Sequence, residues 1–171
     1  ETVLNPRTAD AMYDEIAEKL ARPEYRPRAL FDQFKITVLA TTDDPVDDLA
    51  PHDALAADAS FTGRVIPTFR PDKYLEPARA DFRELADALG EAAGVDTATY
   101  DGHLEAMRIR RLYFRDHGAV SSDHAHIDPG TERLSDADAR RLYASARDGA
   151  IGADEAVALR RHLLADQARL A

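Results

Sequence analysis

The sequence predicts a helix-rich α/β fold built on about three short parallel strands. Three short apolar runs, "ITVLA", "RVIPTF" and "AVSS", each end in ionisable residues just before helical sequence. The segments between and after them repeat apolar residues at helical rather than alternating spacing. The first run is β-branched and apolar without alternation, as a strand buried on both faces of a parallel sheet reads.

The elements follow in order. Thr8 is placed to cap a helix carrying Met12, Ile16 and Leu20 on one face, which ends at Arg22-Pro23. A short helix covers Ala29 to Phe34, and Lys35 to Ala40 is the first strand. Asp44-Pro45 turns the chain, and Pro51 suits the first turn of a helix running to Asp58. After Gly63 comes the second strand, then a polar loop, Arg70 to Lys73, and the amphipathic "PARADFRELADALGEAAG" with Phe82, Leu85, Ala86 and Leu89 inward. A helix from Tyr100 to Arg115 stops at His117-Gly118. "AVSS" is the third strand, and helices from Ser135 to Arg147 and from Ala153 onward are joined at Asp148-Gly149. In parallel α/β folds the loops at the strand C-termini share one face, which would bring "TTDD", "RPDK" and "SDHAH" together. Three strands cannot close a barrel of eight, which takes ~250 residues. The sheet is therefore small and open, or completed by residues not present.

Composition excludes several classes. At 171 residues and 44% hydrophobic content the chain can bury one core. The 32 acids against 22 bases leave a net charge of −10, and "RIRR" at Arg108 to Arg111 lies within a helical pattern, which argues against a nucleic-acid partner. A few arginines in a cleft still suffice for an anionic small molecule. No apolar run approaches the ~20 residues that cross a bilayer, so no membrane partner is expected. There is no cysteine, hence no disulfide or thiolate, and a reducing cytoplasm is the simplest location. The chain starts at Glu1 and its last helix shows no stop signal, so both ends read as cut.

Three clusters are candidates for chemistry. Asp43, Asp44, Asp47 and Asp48 suit either a hard cation or a loop in which Asp44 caps a helix while Asp47 and Asp48 sit near its positive end. The glycine and spacing of a calcium loop are missing. Arg70 suits two-point capture of a carboxylate, with Pro71 fixing its direction, and an ion pair with Asp72 is the plainer alternative. "SDHAHID" offers Asp123, His124, His126 and Asp128, but two histidines fall short of a zinc site. His52, His103 and His162 read as helix-surface residues, and His117 as a helix cap.

"TTDDPVDDLAPH", then "IPTFRPDK", then "HGAVSSDHA" two helices later resemble, in order and spacing, the uronate isomerase (glucuronate isomerase) family of the amidohydrolase superfamily. The likeness runs from about Thr8 to the final helix. It implies an internal segment of a distorted (β/α)8 (TIM) barrel with a helical insertion. The segments are 1–34 as helical lead-in, 35–75 as two βα units, 76–118 as the insertion and 119–171 as a strand plus C-terminal helices. It also implies interconversion of D-glucuronate with D-fructuronate, or D-galacturonate with D-tagaturonate, on a small-molecule uronate substrate. A proton moves between C2 and C1 of the open-chain sugar, so a base must face C2 and cations must steady the developing oxyanion. The family's R-P-D-K arginine faces the substrate, which gives Arg70 the catalytic and substrate-binding role. Asp123 and His124 are second choices, and Asp43 lies at the mouth.

Phe69 and Ala119 stand where family members usually carry tryptophan and cysteine. The early His-x-His that binds a divalent metal, zinc, in the longer enzyme has no counterpart, nor do the later H-I-G strand and T-D-S-R loop. The metal ligands are therefore expected outside this chain, and the segment is expected to be inactive alone. Open strand edges would invite a homo-oligomer. Two rivals remain at this stage: a free-standing α/β binding or scaffold protein without catalysis, and a metal hydrolase built on "SDHAHID" with Asp43.

Overall fold

The computed structural model describes residues 2–125 and 128–170; His126 lies outside the described residues. Two compact units emerge, one comprising the chain up to Leu39 with Ala54–Val65, the other Ala40–Asp53 with everything from Ile66 on.

The first unit holds α1 (Ala9–Leu20), a 3-10 turn (Pro23–Tyr25) and α2 (Pro27–Gln33). Its one buried helical side chain is Phe31, whose ring meets Phe61 at 4.9 Å. Arg28 lies over the Phe61 ring and pairs with Asp58. Thr8 occupies the N-cap of α1 but makes no capping bond, because its hydroxyl oxygen accepts from the preceding Asn5 amide while its proton goes to the Val3 carbonyl. Ile16 and Leu20 are exposed and Met12 is partly buried, so most of the apolar face of α1 is uncovered among the described residues.

β1 (Val38–Ala40) and β2 (Arg64–Ile66) are parallel, linked by a crossover through α3 (Ala50–Ala57). The ladder continues past them: the amides of Thr41 and Asp43 donate to the carbonyls of Ile66 and Thr68, and the Arg70 amide donates to the Asp43 carbonyl. β1 was expected to be buried on both faces, yet Val38 and Leu39 are 45% and 44% exposed. Its composition fits an enclosed environment that the described residues do not supply. The third strand is shorter than predicted. "AVSS" contributes a single parallel bridge, Phe69 to Ser122, with two hydrogen bonds around Phe69. Pairing begins only at Ser121, because Gly118 (φ 92°) is still turning the chain out of the preceding helix. The observed fold is thus helix-rich α/β with a two-stranded parallel sheet and a one-residue extension.

The helical body of the second unit follows a 3-10 turn, Asp72–Leu75, and consists of α4 (Phe82–Ala93), α5 (Tyr100–Asp116), α6 (Asp136–Arg147) and α7 (Ala153–Leu170). α4 buries Phe82, Ala86 and Leu89, with Leu85 partly buried, and ends at Gly94 in the left-handed region. Thr99 and Ser135 cap α5 and α6, each accepting from an amide three residues on. His117 caps the C-terminus of α5 as expected.

Two histidines overturn the surface expectation. His103 is fully buried beside the rings of Phe82 and Tyr143, and His162 is buried against Tyr100. The Leu134 amide donates to His162 Nδ1, which leaves the ring proton on Nε2, 2.8 Å from the Tyr100 hydroxyl. That hydroxyl donates to buried Asp166, which also meets Arg133 and Arg169, and the network joins α5 to α7. Both histidines lie on apolar faces of their helices, where burial outweighs the polar ring once the lost hydration is replaced or the ring stays neutral.

Gly102, in the first turn of α5, is required by close approach: a Cβ there would overlap the Asp96 carbonyl oxygen. Gly102→Ala is expected to lower stability by roughly 1–3 kcal/mol, because overpacking exceeds the helix-propensity gain of about 1 kcal/mol. A thermal melt checks this, and an unchanged or raised Tm would contradict it.

Candidate active site

The parallel bridges Asp43–Phe69 and Phe69–Ser122 bring the three loops to one place. Phe69 anchors them. Its buried ring packs edge-on against Phe114 of α5 at 5.1 Å, with the Arg111 guanidinium over it at 4.9 Å. With Phe69 fixed, Arg70 must leave the ladder at its C-terminal end. Its Nε lies 3.2 Å from Asp72 Oδ2 and 3.6 Å from Asp123 Oδ2, while 40% of its side chain stays exposed. The ion pair with Asp72 considered from the sequence therefore forms, and it orients the guanidinium instead of hiding it.

Asp72 also binds the third loop, accepting from the Ala125 amide at 2.9 Å and facing His124 Nδ1 at 3.3 Å. Asp123 is about half exposed, and His124 is more enclosed. Arg70, Asp123 and His124 thus gather around Asp72, a residue the sequence reading had used only as an ion-pair partner.

Asp43 points elsewhere. Its Oδ2 accepts from the Thr41 hydroxyl at 2.7 Å and the Thr68 amide at 3.2 Å, and its Oδ1 faces His52 Nε2 at 3.8 Å. His52 also contacts the Thr41 hydroxyl at 2.8 Å, so this histidine too is part of the interior. Asp43 clamps the two strand ends together while its backbone forms the rim.

The acidic loop is internally satisfied. Asp44 accepts from the Val46 amide and the Tyr74 hydroxyl and pairs with Lys73. Burial and the neighbouring Asp44 carboxylate push the Tyr74 phenol far above its usual range, so it remains a donor. Asp48, rather than Asp44, accepts from the first amide of α3, that of Ala50. Arg70, Asp72, Lys73 and the loop residues Asp43, Asp44 and Asp47 line a cleft of about 450 Å³.

The sequence reading missed the residues that hold this loop. Buried Arg110 of α5 donates from Nε to the Pro45 carbonyl at 2.6 Å and from Nη2 to the Asp47 carbonyl at 2.7 Å. Tyr113, stacked on that guanidinium at 4.1 Å, donates to the Asp48 carbonyl. The signal was a charged residue lying on the apolar stripe of α5, three residues from Met107 and four from Phe114.

Among the described residues no group of three or more His, Asp or Glu side chains is placed to hold a metal ion. The described residues therefore do not by themselves fit the divalent metal that the sequence resemblance implies. No helix among the described residues is long and apolar enough to cross a membrane.

A family model described as glucuronate isomerase matches residues 1–170. A uronate isomerase of Cutibacterium acnes is 53% identical over 98% of the chain, and one of Rhizorhabdus wittichii is 46% identical over the same share. A crystal structure of glucuronate isomerase from Caulobacter crescentus superposes with a TM-score of 0.86 at 36% identity over 98% of the chain. The chain spans only 36% of each of those two relatives and 35% of the Caulobacter crescentus chain. With a match from end to end in both sequence and fold, the chain belongs to the glucuronate isomerase family.

Proposed function

We propose that the chain is the Arg70-bearing segment of a uronate isomerase, an aldose–ketose isomerase acting on D-glucuronate and D-fructuronate or on D-galacturonate and D-tagaturonate. The observation that carries this reading is the meeting of Arg70, Asp123 and the Asp43 rim at the C-terminal ends of parallel β-segments. That is where parallel α/β enzymes keep their sites, and the likeness to solved glucuronate isomerases supports a partial (β/α)8 barrel.

Arg70 faces the substrate and stabilises negative charge, either the uronate carboxylate or the oxygen that becomes anionic as the proton moves between C2 and C1. Asp72 and Asp123 fix the direction of its fork, and His124 lies within reach of the same anion. Asp43 holds the rim. A divalent metal belongs to the longer enzyme, with ligands outside this chain, and no step here is routed through it.

The test is a hybrid in which this chain replaces the matching third of the Cutibacterium acnes relative, assayed for ketose formation from D-glucuronate. The hybrid is expected to turn over and the isolated chain to be inactive. A folded but inactive hybrid would overturn the assignment, and turnover by the isolated chain at the rate of a full enzyme would overturn the segment reading.

A further inference from the structure

Arg110 is a costly way to fill a core position. Burial of a guanidinium carries a desolvation penalty, and a methionine of similar length would avoid it. What the guanidinium adds is directional: two short hydrogen bonds to the Pro45 and Asp47 carbonyls, and a longer one at 3.4 Å to the Ala92 carbonyl at the end of α4. The Tyr113 hydroxyl takes the next carbonyl, that of Asp48. Three loop carbonyls, those of Pro45, Asp47 and Asp48, are thus held by α5. The loop's carboxylates, at 43, 44, 47 and 48, repel one another, and a cation beneath them offsets that repulsion.

The consequence reaches the cleft through Asp44. Its amide donates to Asp47 Oδ2, its carboxylate accepts from the Tyr74 hydroxyl, and it pairs with the Lys73 ammonium, which lies 5.2 Å over the Tyr74 ring. Lys73 shares the cleft with Arg70. We propose that Arg110 is a positioning residue for uronate binding: it fixes the acidic loop by its carbonyls, the loop fixes Asp44, and Asp44 fixes Lys73 as a second cation at the rim. This rests on the isomerase reading for its substrate, but the clamp itself stands on the geometry of this chain.

Two measurements test it. In the chain itself, Arg110→Met is expected to raise hydrogen exchange about tenfold or more at the amides of Asp44, Val46 and Asp47 while α6 and α7 keep their protection. Unchanged loop exchange, or a rise in step with the helices, would overturn the clamp. In the hybrid enzyme, Arg110→Met is expected to raise KM for D-glucuronate about tenfold with kcat nearly constant, the pattern of lost ground-state binding. Lys73→Met should do the same, and the double variant should be no worse than Lys73→Met alone. Additive effects, or a fall in thermal stability with KM unchanged, would overturn the route through Lys73. A hybrid without any isomerase activity would count against the functional reading, and the exchange measurement would still decide the clamp.

Discussion

Arg70→Ala in the hybrid enzyme is expected to lower kcat/KM for D-glucuronate by about 10²–10³-fold, the usual cost of removing a charge-stabilising donor from a reacting centre. The surroundings add to the loss. Arg70 lies between Asp72 and Asp123, in a cleft that also carries Asp43, Asp44 and Asp47, so its removal leaves Lys73 as the remaining lysine or arginine among the described residues of the cleft. An anionic sugar would then meet stronger repulsion on entry and lose its two-pronged partner, and KM should rise together with the fall in kcat. Arg70→Lys keeps the charge but loses the two-pronged fork, and should recover only part of the activity. Steady-state kinetics of the two variants decide the matter. An alanine variant within about threefold of the parent would remove Arg70 from the site.

Acid should destabilise the helical body through His103. Burial, with the nearby Arg147 charge adding to it, holds this imidazole down to about 4 from an ordinary 6.5, so it is neutral in the folded state at pH 7. In the unfolded chain the ring takes a proton near pH 6.5, which favours unfolding as the pH falls. Its contribution is therefore complete above pH 6.5, declines between 6.5 and about 4, and is level below that. A gap of roughly 2.5 pH units corresponds to about 3 kcal/mol, a large part of the stability of a small domain. Urea melts at pH 7, 5.5 and 4 on the parent and on His103→Leu check it. The leucine variant should lose distinctly less stability on acidification, and parallel losses would assign the effect to other groups.

Much of this fold was legible because it depends on punctuation and periodicity. Asp44-Pro45, His117-Gly118 and Asp148-Gly149 mark turns that the structure contains, and the stripe Phe82, Ala86, Leu89 faces the core. The meeting of "TTDD" and "RPDK" with the described part of the third loop, Ser122 to Ala125, followed from the rule that parallel strands share a functional end. Strand length was less legible, because "AVSS" has the composition of a strand but pairs with Phe69 at one position only. Buried polar residues were read as exposed. His103 lies three residues from Tyr100 and from Ala106, and His162 three from Leu159, so position on the apolar face announced burial while residue type concealed it. Arg110 followed the same pattern, hidden within the basic run "RIRR". The inward turn of Asp43 depends on Thr41, Thr68 and His52 converging from separate elements, which spacing along the chain does not encode.

The grip of Arg110 and Tyr113 on carbonyl oxygens has an evolutionary consequence. Every amino acid carries a carbonyl, so the grip is indifferent to the side chains at 45, 47 and 48. An amide or hydroxyl in place of Asp48 would still accept from the Ala50 amide while removing a negative charge. At position 48 loop curvature and rim potential can therefore drift independently, leaving a lineage free to retune its attraction for differently charged sugars without rebuilding the scaffold beneath.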